Sequence, residues 1–521
     1  MILPRFPHLT LLSRLLLAGF AGLLNYAVFP NVGLWVLVWV CLTPLLVVTY
    51  QERSGWRALC LGLLTGVVFF TGTCHWISNV LRAYGGLSEL GAGLLFLLLA
   101  LHLSLFYGIF SWTLACISRR CGLQALWIAP AIWVATEYLR AHVLTGFPWC
   151  LLGYGLIDAE RLAQVATVTG VYGLSFLAMS MNASLAALLL APSKRTLFQL
   201  GALILALSGL SWTLGLTRPE LSEPPRQVRI VQANIDLEQS WAASSKAAVL
   251  DELARLSRAG ESDQKIDANS WRLILWPETP TPFYFNHDQD FRHKVEQIAF
   301  STGSYLLFGF VDFRSAQGGK ERIPYNSVAL LSPEAKTVSQ YDKIHLVPFG
   351  EYVPYASLFF FVEKISTEAG NFSPGERVVV SPVGTSESLG TFICYEAVVP
   401  DLVRLFARDG AQVLVNVTND AWFGESAAPF QHLAMARMRS VENRRYLLRA
   451  ANNGISAVID PFGKVVSSIP RNQRAALESV FQFRKELTLY TRWGDWLAWS
   501  CLAVSAGSLV WVGAWGRREE I

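Results

Sequence analysis

Glu278, Lys343 and Cys394 are the residues of this sequence whose types and settings suit covalent chemistry. Of the eight cysteines, seven (Cys41, Cys60, Cys74, Cys116, Cys121, Cys150 and Cys501) sit in strongly apolar segments or the short turns joining them; Cys394 alone falls in a large polar region. A lone thiol there has no intradomain disulfide partner and too few companions for a zinc site, which leaves a small buried hydrophobe or a nucleophile. Its surroundings favour the nucleophile. Residues 388–393 read as a strand, and 398–408 as a helix with Val399, Leu402, Val403 and Phe406 on one face and Gly410 after its end. Cys394 thus lies at a strand-to-helix turn, where a nucleophile is lifted out of the sheet and the N–H of Tyr395 can face a developing oxyanion.

Glu278 follows the strand-like Leu273–Trp276 and Pro277; proline cannot continue a central ladder, so the carboxylate lies just beyond the strand's carboxyl end, where open α/β sheets put their sites. Lys343 stands among aromatic and apolar residues in the peptide 341–351, although a surface lysine that buries only its stem would look similar. A thiol near pKa 8.5 needs a base or a nearby cation to become nucleophilic. Glu278 can take and return the proton, and Lys343 favours the thiolate and, with the Tyr395 N–H, a tetrahedral oxyanion. In order and spacing the three resemble a nitrilase-type Glu-Lys-Cys set.

The elements that must hold this trio fall into two classes. With 521 residues, 52% hydrophobic, 16% charged and a mean hydropathy of +0.36, the chain is too apolar for a wholly soluble protein. Its net charge of +4 includes no basic block, which argues against nucleic acid. Apolar stretches at 13–29, 32–50, 58–80, 90–117, 123–139, 163–191, 197–216 and 493–515 predict eight membrane spans, with Pro130 interrupting the fifth and Glu137 inside it. One set of short connections carries Arg5, Arg14, Arg53, Arg57, Arg119, Arg120, Lys194, Arg195, Arg517 and Arg518, the other only Arg82, Arg140 and Arg161. That bias puts both termini in the cytoplasm and the polar region outside it. The expected domains are 1–219 with seven transmembrane helices, an extracytoplasmic catalytic domain at 220–490, and an eighth helix with a cytoplasmic end at 491–521.

Within 220–490, strand-like runs at 228–235, 273–276, 305–313, 327–331, 391–394, 413–417 and 455–459 alternate with helical patterns at 244–258, 288–302, 398–408 and 429–447. Such alternation indicates a layered α/β sheet domain. Arg439, Glu442, Asn443 and Arg445 on the last helix read equally as support for the site or as a solvated, salt-bridged face. Glu137 and Arg140 read equally as a brace for the 145–149 loop or as a helix-end ion pair; His75 and His102 are lesser ionisable groups of the apolar half.

The sequence as a whole resembles the apolipoprotein N-acyltransferase family of Gram-negative bacteria. The resemblance rests on Trp276-Pro277-Glu278, the 341–354 peptide, Ile393-Cys394-Tyr395-Glu396, residues 417–424 and Thr145-Gly146-Phe147-Pro148-Trp149. It implies a membrane bundle joined to a nitrilase-like αββα sandwich in the bacterial inner membrane, with the catalytic domain in the periplasm. It also implies a ping-pong reaction in which Cys394 takes the sn-1 acyl chain of a phospholipid, typically phosphatidylethanolamine, as a thioester. The α-amino group of a diacylglyceryl-modified lipoprotein cysteine then receives that chain. No metal, nucleotide or other cofactor is expected. The resemblance adds Glu351 beside Lys343, Tyr395 and Glu396 flanking the nucleophile, and Trp241 lining the pocket. Residues 358–362 are too apolar for an ordinary exposed loop, and Phe359 and Phe360 are expected in a lid that dips toward lipid, with plain core packing the alternative. Rival readings are a membrane-tethered nitrilase-type amidase, in which water resolves the acyl enzyme, a cysteine–histidine hydrolase, and a catalytically inactive lipid-binding protein.

Overall fold

The computed structural model describes residues 9–216, 224–235, 246–258, 271–278, 284–315, 322–352 and 371–518. The chain divides into two compact units, one of residues 1–82, 87–219 and 493–521, the other of residues 83–86 and 220–492.

In the first unit the principal helices are α1 (Leu11–Val28), α2 (Thr43–Gln51), α3 (Gly55–Cys74), α4 (Glu89–Cys121), α5 (Ala129–His142), α6 (Ala166–Leu190) and α7 (Lys194–Leu216), joined by a C-terminal helix, Trp496–Arg518. Among the described residues, six helices are long and apolar enough to cross a membrane: α1, α3, α4, α6, α7 and the C-terminal helix. Two of the eight expected spans differ. The apolar stretch 32–50 forms a 3-10 turn, Trp35–Trp39, and then the nine-residue α2, about 14 Å long at 1.5 Å per residue. The stretch 123–139 forms a 3-10 turn, Gly122–Trp127, and the fourteen-residue α5, about 21 Å long. Pro130 lies in the first turn of α5, where its missing N–H costs no hydrogen bond, so it starts this helix instead of interrupting one.

Side chains from elsewhere in the unit satisfy the irregular segments. Asn182 of α6 accepts from the Leu42 N–H and donates to the Val38 carbonyl, both at 2.8 Å, across the break before α2. Glu137 accepts from the Leu152 N–H at 2.7 Å, and Arg140 donates to the carbonyls of Phe147 and Trp149, both at 2.9 Å. Both side chains therefore brace the loop after α5, in which Leu144, Thr145 and Cys150 hold positive φ. Gly62 and Gly66, one turn apart, let α3 approach α4 closely; a Cβ at Gly62 would meet the Tyr107 carbonyl oxygen at 2.3 Å.

The second unit holds two six-stranded sheets. Strands β1 (Arg226–Gln232), β2 (Arg272–Leu275), β3 (Ser304–Ser315), β4 (Arg322–Leu331), β5 (Thr337–Asp342) and β12 (Ala475–Phe481) form the first, in the order β12-β1-β2-β3-β4-β5. Strands β6 (Val380–Val383), β7 (Glu387–Ile393), β8 (Val413–Thr418), β9 (Leu447–Ala451), β10 (Ser456–Ile459) and β11 (Val465–Ile469) form the second, in the order β11-β10-β9-β8-β7-β6. Each sheet has a parallel centre, β1-β2-β3 or β7-β8-β9, flanked by antiparallel strands. The parallel strands are joined through α8 (Lys246–Arg258) and α9 (Gln289–Thr302) in one half, and α10 (Pro400–Arg408) and α11 (Ala428–Asn443) in the other.

Strand alternation explains the layering. Leu273 and Leu275 of β2 join Val413, Val415, Leu447 and Val458 in the core that unites the sheets, whereas Ile274 and Trp276 point the other way, onto Leu253, Val295 and Ile298 of α8 and α9. Both parallel centres are thus covered by helices, as an αββα sandwich requires. Strands β5, β6, β9, β11 and β12 escape the sequence pattern. The helix expected over 429–447 ends at Asn443, because Arg444 turns left-handed (φ 53°) and β9 begins at Leu447. Replacing Asn182 by Leu strands two buried main-chain groups at about 1–3 kcal/mol each; a lowered thermal midpoint of the detergent-solubilised variant is expected.

Candidate active site

The candidate residues gather at the carboxyl ends of the parallel strands, where open α/β sheets put their sites. Glu278 lies just past β2, Cys394 directly ends β7, and Thr418-Asn419-Asp420 ends β8. Lys343 follows β5 and is held there by its N–H to the Asn326 carbonyl at 2.8 Å.

Cys394 opens a 3-10 turn, Cys394–Val398, that leads into α10, and its φ of 49° is a left-handed conformation that non-glycine residues avoid, at about 1–3 kcal/mol. The turn is fastened by Glu396, which is fully buried. One of its oxygens accepts from the Ile393 N–H at 2.7 Å; the other accepts from the Tyr341 hydroxyl (2.7 Å) and the N–H groups of Ile344 (2.7 Å) and His345 (3.0 Å). Glu396 therefore ties the Cys394 turn to the peptide that carries Lys343. Burial pushes its carboxyl up to about 6, against the Ile393, His345 and Tyr341 donors and the Lys343 charge. The buried Tyr395 ring stacks on His345 with centroids 5.8 Å apart.

Lys343 is 1% exposed, with its ammonium between two carboxylates: Glu351 at 2.9 Å and Glu278 at 3.4 Å. The Asn326 amide donates to the same two oxygens, 2.8 Å from each. The second oxygen of Glu278 accepts from the Asn419 N–H at 2.9 Å, and that of Glu351 from the Val347 N–H at 2.8 Å. Burial alone would lower the Lys343 ammonium, but Glu351 and Glu278 together hold it well above its ordinary value, so it stays charged. Burial raises the Glu278 carboxyl, with Lys343 opposing. The Cys394 thiol has the Glu278 carboxylate and the Thr418 hydroxyl as side-chain neighbours. Burial, reinforced by the Glu278 charge, pushes the thiol up despite Lys343. The Glu278 carboxylate is placed to take the proton of the adjacent thiol. Among the described residues no cluster of His, Cys, Asp and Glu could hold a metal ion.

The profile for the apolipoprotein N-acyltransferase N-terminal domain matches residues 21–184, and that for carbon–nitrogen hydrolases matches residues 227–479. The apolipoprotein N-acyltransferase of Geobacter metallireducens is 36% identical over 503 residues, covering 94% of each chain. The chain belongs to the apolipoprotein N-acyltransferase family. The enzyme of that name from Pseudomonas syringae pv. tomato is 33% identical over 513 residues, covering 96% of each chain. Among solved structures, an amidase from Nesterenkonia sp. is 21% identical, covers 52% of this chain and 94% of its own, and has a TM-score of 0.36. As a member of the apolipoprotein N-acyltransferase family this chain is an acyltransferase with a nitrilase-like α/β domain, and its six long apolar helices fit a membrane protein.

Of the residues expected at the site of this family member, Glu278, Lys343, Glu351, Cys394, Tyr395 and Glu396 lie together. Trp241, Phe359 and Phe360, with the expected 358–362 lid, lie outside the described residues. Arg439, Glu442, Asn443 and Arg445 are at most 1% exposed, so they form no solvated face. Arg439 pairs with Glu442 at 3.0 Å, and Arg445 donates to the carbonyls of Ala411 (2.8 Å) and Glu486 (2.6 Å). Burial pushes the Arg445 guanidinium down to about 10. Asn326, Thr418, Asn419 and Tyr341 went unrecognised as site residues. The available signal was a polar side chain inside an apolar strand, as with Asn326 before Ser327-Val328-Ala329-Leu330. His432 hydrogen bonds to the Cys394 main-chain carbonyl at 3.1 Å. Glu396→Gln turns an acceptor oxygen into an N–H group facing N–H donors; a loss of about 1–3 kcal/mol is expected as a lower melting midpoint, together with slower acyl transfer.

Proposed function

We propose that this chain is an apolipoprotein N-acyltransferase that carries the sn-1 acyl chain of a phospholipid on Cys394 and delivers it to the α-amino group of a diacylglyceryl-modified lipoprotein cysteine. The observation that carries this reading is the single buried cluster formed by Cys394, Glu278, Lys343 and Glu351, in a chain of this family.

In the first half-reaction Glu278 takes the thiol proton as the sulfur attacks the ester carbonyl, so no free thiolate accumulates. The carbonyl oxygen becomes an oxyanion, which the Lys343 ammonium and the Tyr395 N–H stabilise. Collapse breaks the C–O bond, Glu278 returns its proton to the departing alkoxide, and a lysophospholipid leaves. The amine of the second substrate then attacks the thioester carbonyl, Glu278 accepts its proton, and the sulfur leaves and regains a proton. Glu351 keeps Lys343 charged and in place. The chemistry balances without a metal or other cofactor.

Both substrates are bilayer lipids, so holding the thiol at the membrane surface raises their effective concentration. The excess of Lys and Arg on one side of the apolar segments supports an inner-membrane protein with its polar domain, about 220–490, in the periplasm. Trp241, Phe359 and Phe360 are proposed substrate contacts on the strength of the sequence and the family.

Incubation with acyl-labelled phospholipid tests the reading. A thioester is expected on the wild type, absent in Cys394→Ala, and discharged by a diacylated lipopeptide. Discharge by water alone would favour an amidase, and transfer without Cys394 would refute the mechanism. Glu278→Gln should slow thioester formation by about 10²–10⁴. Because Glu278 acts as the ionised base and burial raises its carboxyl, the rate should fall with decreasing pH in a limb centred above the ordinary glutamate value, read from single-turnover rates across pH.

A further inference from the structure

Behind the nucleophile lies a buried polar cluster that the acyl-transfer steps do not use. Asp420, His432 and Arg449 are each at most 1% exposed. One Arg449 nitrogen reaches both oxygens of Asp420, at 2.8 and 3.1 Å, and another bonds the Asn416 side chain. The first nitrogen also lies 3.1 Å from His432 Nδ1, which is 3.2 Å from Asp420 Oδ1. On the opposite edge of the ring, His432 Nε2 is 3.1 Å from the main-chain oxygen of Cys394. A carbonyl oxygen only accepts, so Nε2 carries the proton. Burial, with the Arg449 guanidinium adjacent, holds the imidazole below its ordinary value and neutral, leaving Nδ1 to accept from Arg449. Burial opposes ionisation of Asp420, but Arg449 holds its carboxyl well below the usual carboxylate range.

The bond from His432 falls on the peptide whose other end faces the reaction. The Cys394–Tyr395 bond is trans. In a planar trans peptide the C=O and N–H point in opposite directions, so fixing the Cys394 carbonyl fixes the aim of the Tyr395 N–H. A donor at the carbonyl also polarises the amide and strengthens that N–H as a donor. The grip is needed because Cys394, at φ 49°, sits where an unrestrained residue of its type would not stay.

We propose that His432 is a positioning residue of the oxyanion hole: through the Cys394 carbonyl it aims the Tyr395 N–H at the tetrahedral intermediate, with Arg449, itself held by Asp420, fixing its tautomer and ring. This rests on the reading of Cys394 as the nucleophile.

Two rates measured on the full chain in phospholipid-containing micelles test it: single-turnover thioester formation from phospholipid, and alkylation of Cys394 by iodoacetamide. Alkylation joins sulfur to the CH₂ carbon, expels iodide and passes the thiol proton to Glu278, so it needs the same thiol and base but forms no oxyanion. His432→Ala is expected to slow acylation about 100-fold and to leave alkylation within roughly threefold of wild type. His432→Gln keeps a side-chain N–H of similar reach and should recover part of the acylation rate. If His432→Ala does not fold, His432→Gln is compared with His432→Asn, whose shorter side chain should give the lower ratio of acylation to alkylation. A wild-type ratio in every folded variant, or an equal fall in both rates, overturns the proposal. Absence of a thioester on the wild type would instead refute the assignment of Cys394 as the nucleophile.

Discussion

A lysine ammonium removed from water and held between two carboxylates is the constraint on which the catalytic half depends. Burying such a charge costs several kcal/mol unless it is paired and hydrogen bonded. Here Glu351 and Glu278 meet that demand, and the Asn326 amide donates to the same two oxygens. The cluster carries one more negative charge than positive. Burial and the Glu278 charge both push the Cys394 thiol up, against the pull of Lys343. The surplus negative charge suits the proposed second substrate, an amine that is mostly protonated in water and must lose a proton before it can attack.

The two sheets divide the labour. The first and the peptide after β5 supply Glu278, Lys343 and Glu351, and the second supplies Cys394, Thr418 and Asn419. Glu396 closes the seam by bonding the Cys394 turn to the Lys343 peptide. In the membrane-type unit the same principle appears in another form. Where the backbone leaves helical geometry, Asn182, Glu137 and Arg140 supply the hydrogen-bond partners that an apolar setting withholds.

Legibility in the sequence followed the locality of the signal. Cys394 and Glu278 were readable because each ends a short apolar strand, so a pattern of a few residues sets its position. The parallel centres were readable for the same reason, through strand and helix periods that alternate. Edge strands such as Ala475–Phe481 were not, because a half-exposed strand with mixed polarity has no period that separates it from a loop. The apolar stretches 32–50 and 123–139 hold shorter helices than their hydropathy predicts, because hydropathy registers apolar length but not breaks such as the one Asn182 satisfies from a distant helix. Arg449 and Asp420 escaped recognition because their partners are brought together only by the pairing of β8 with β9 and the return of α11. The motif around 417–424 was visible as a resemblance, but nothing local assigned its residues a task.

The pairing of β1 sets the order in which the domain can be completed. Its neighbours are β2, which arrives soon after it along the chain, and β12, the last strand of the domain. Until β12 is made, β1 remains an open edge with unpaired main-chain groups, and the sheet bearing Glu278 is unfinished. A chain cut before residue 475 therefore contains Glu278, Lys343 and Cys394 but leaves the sheet that bears Glu278 one strand short.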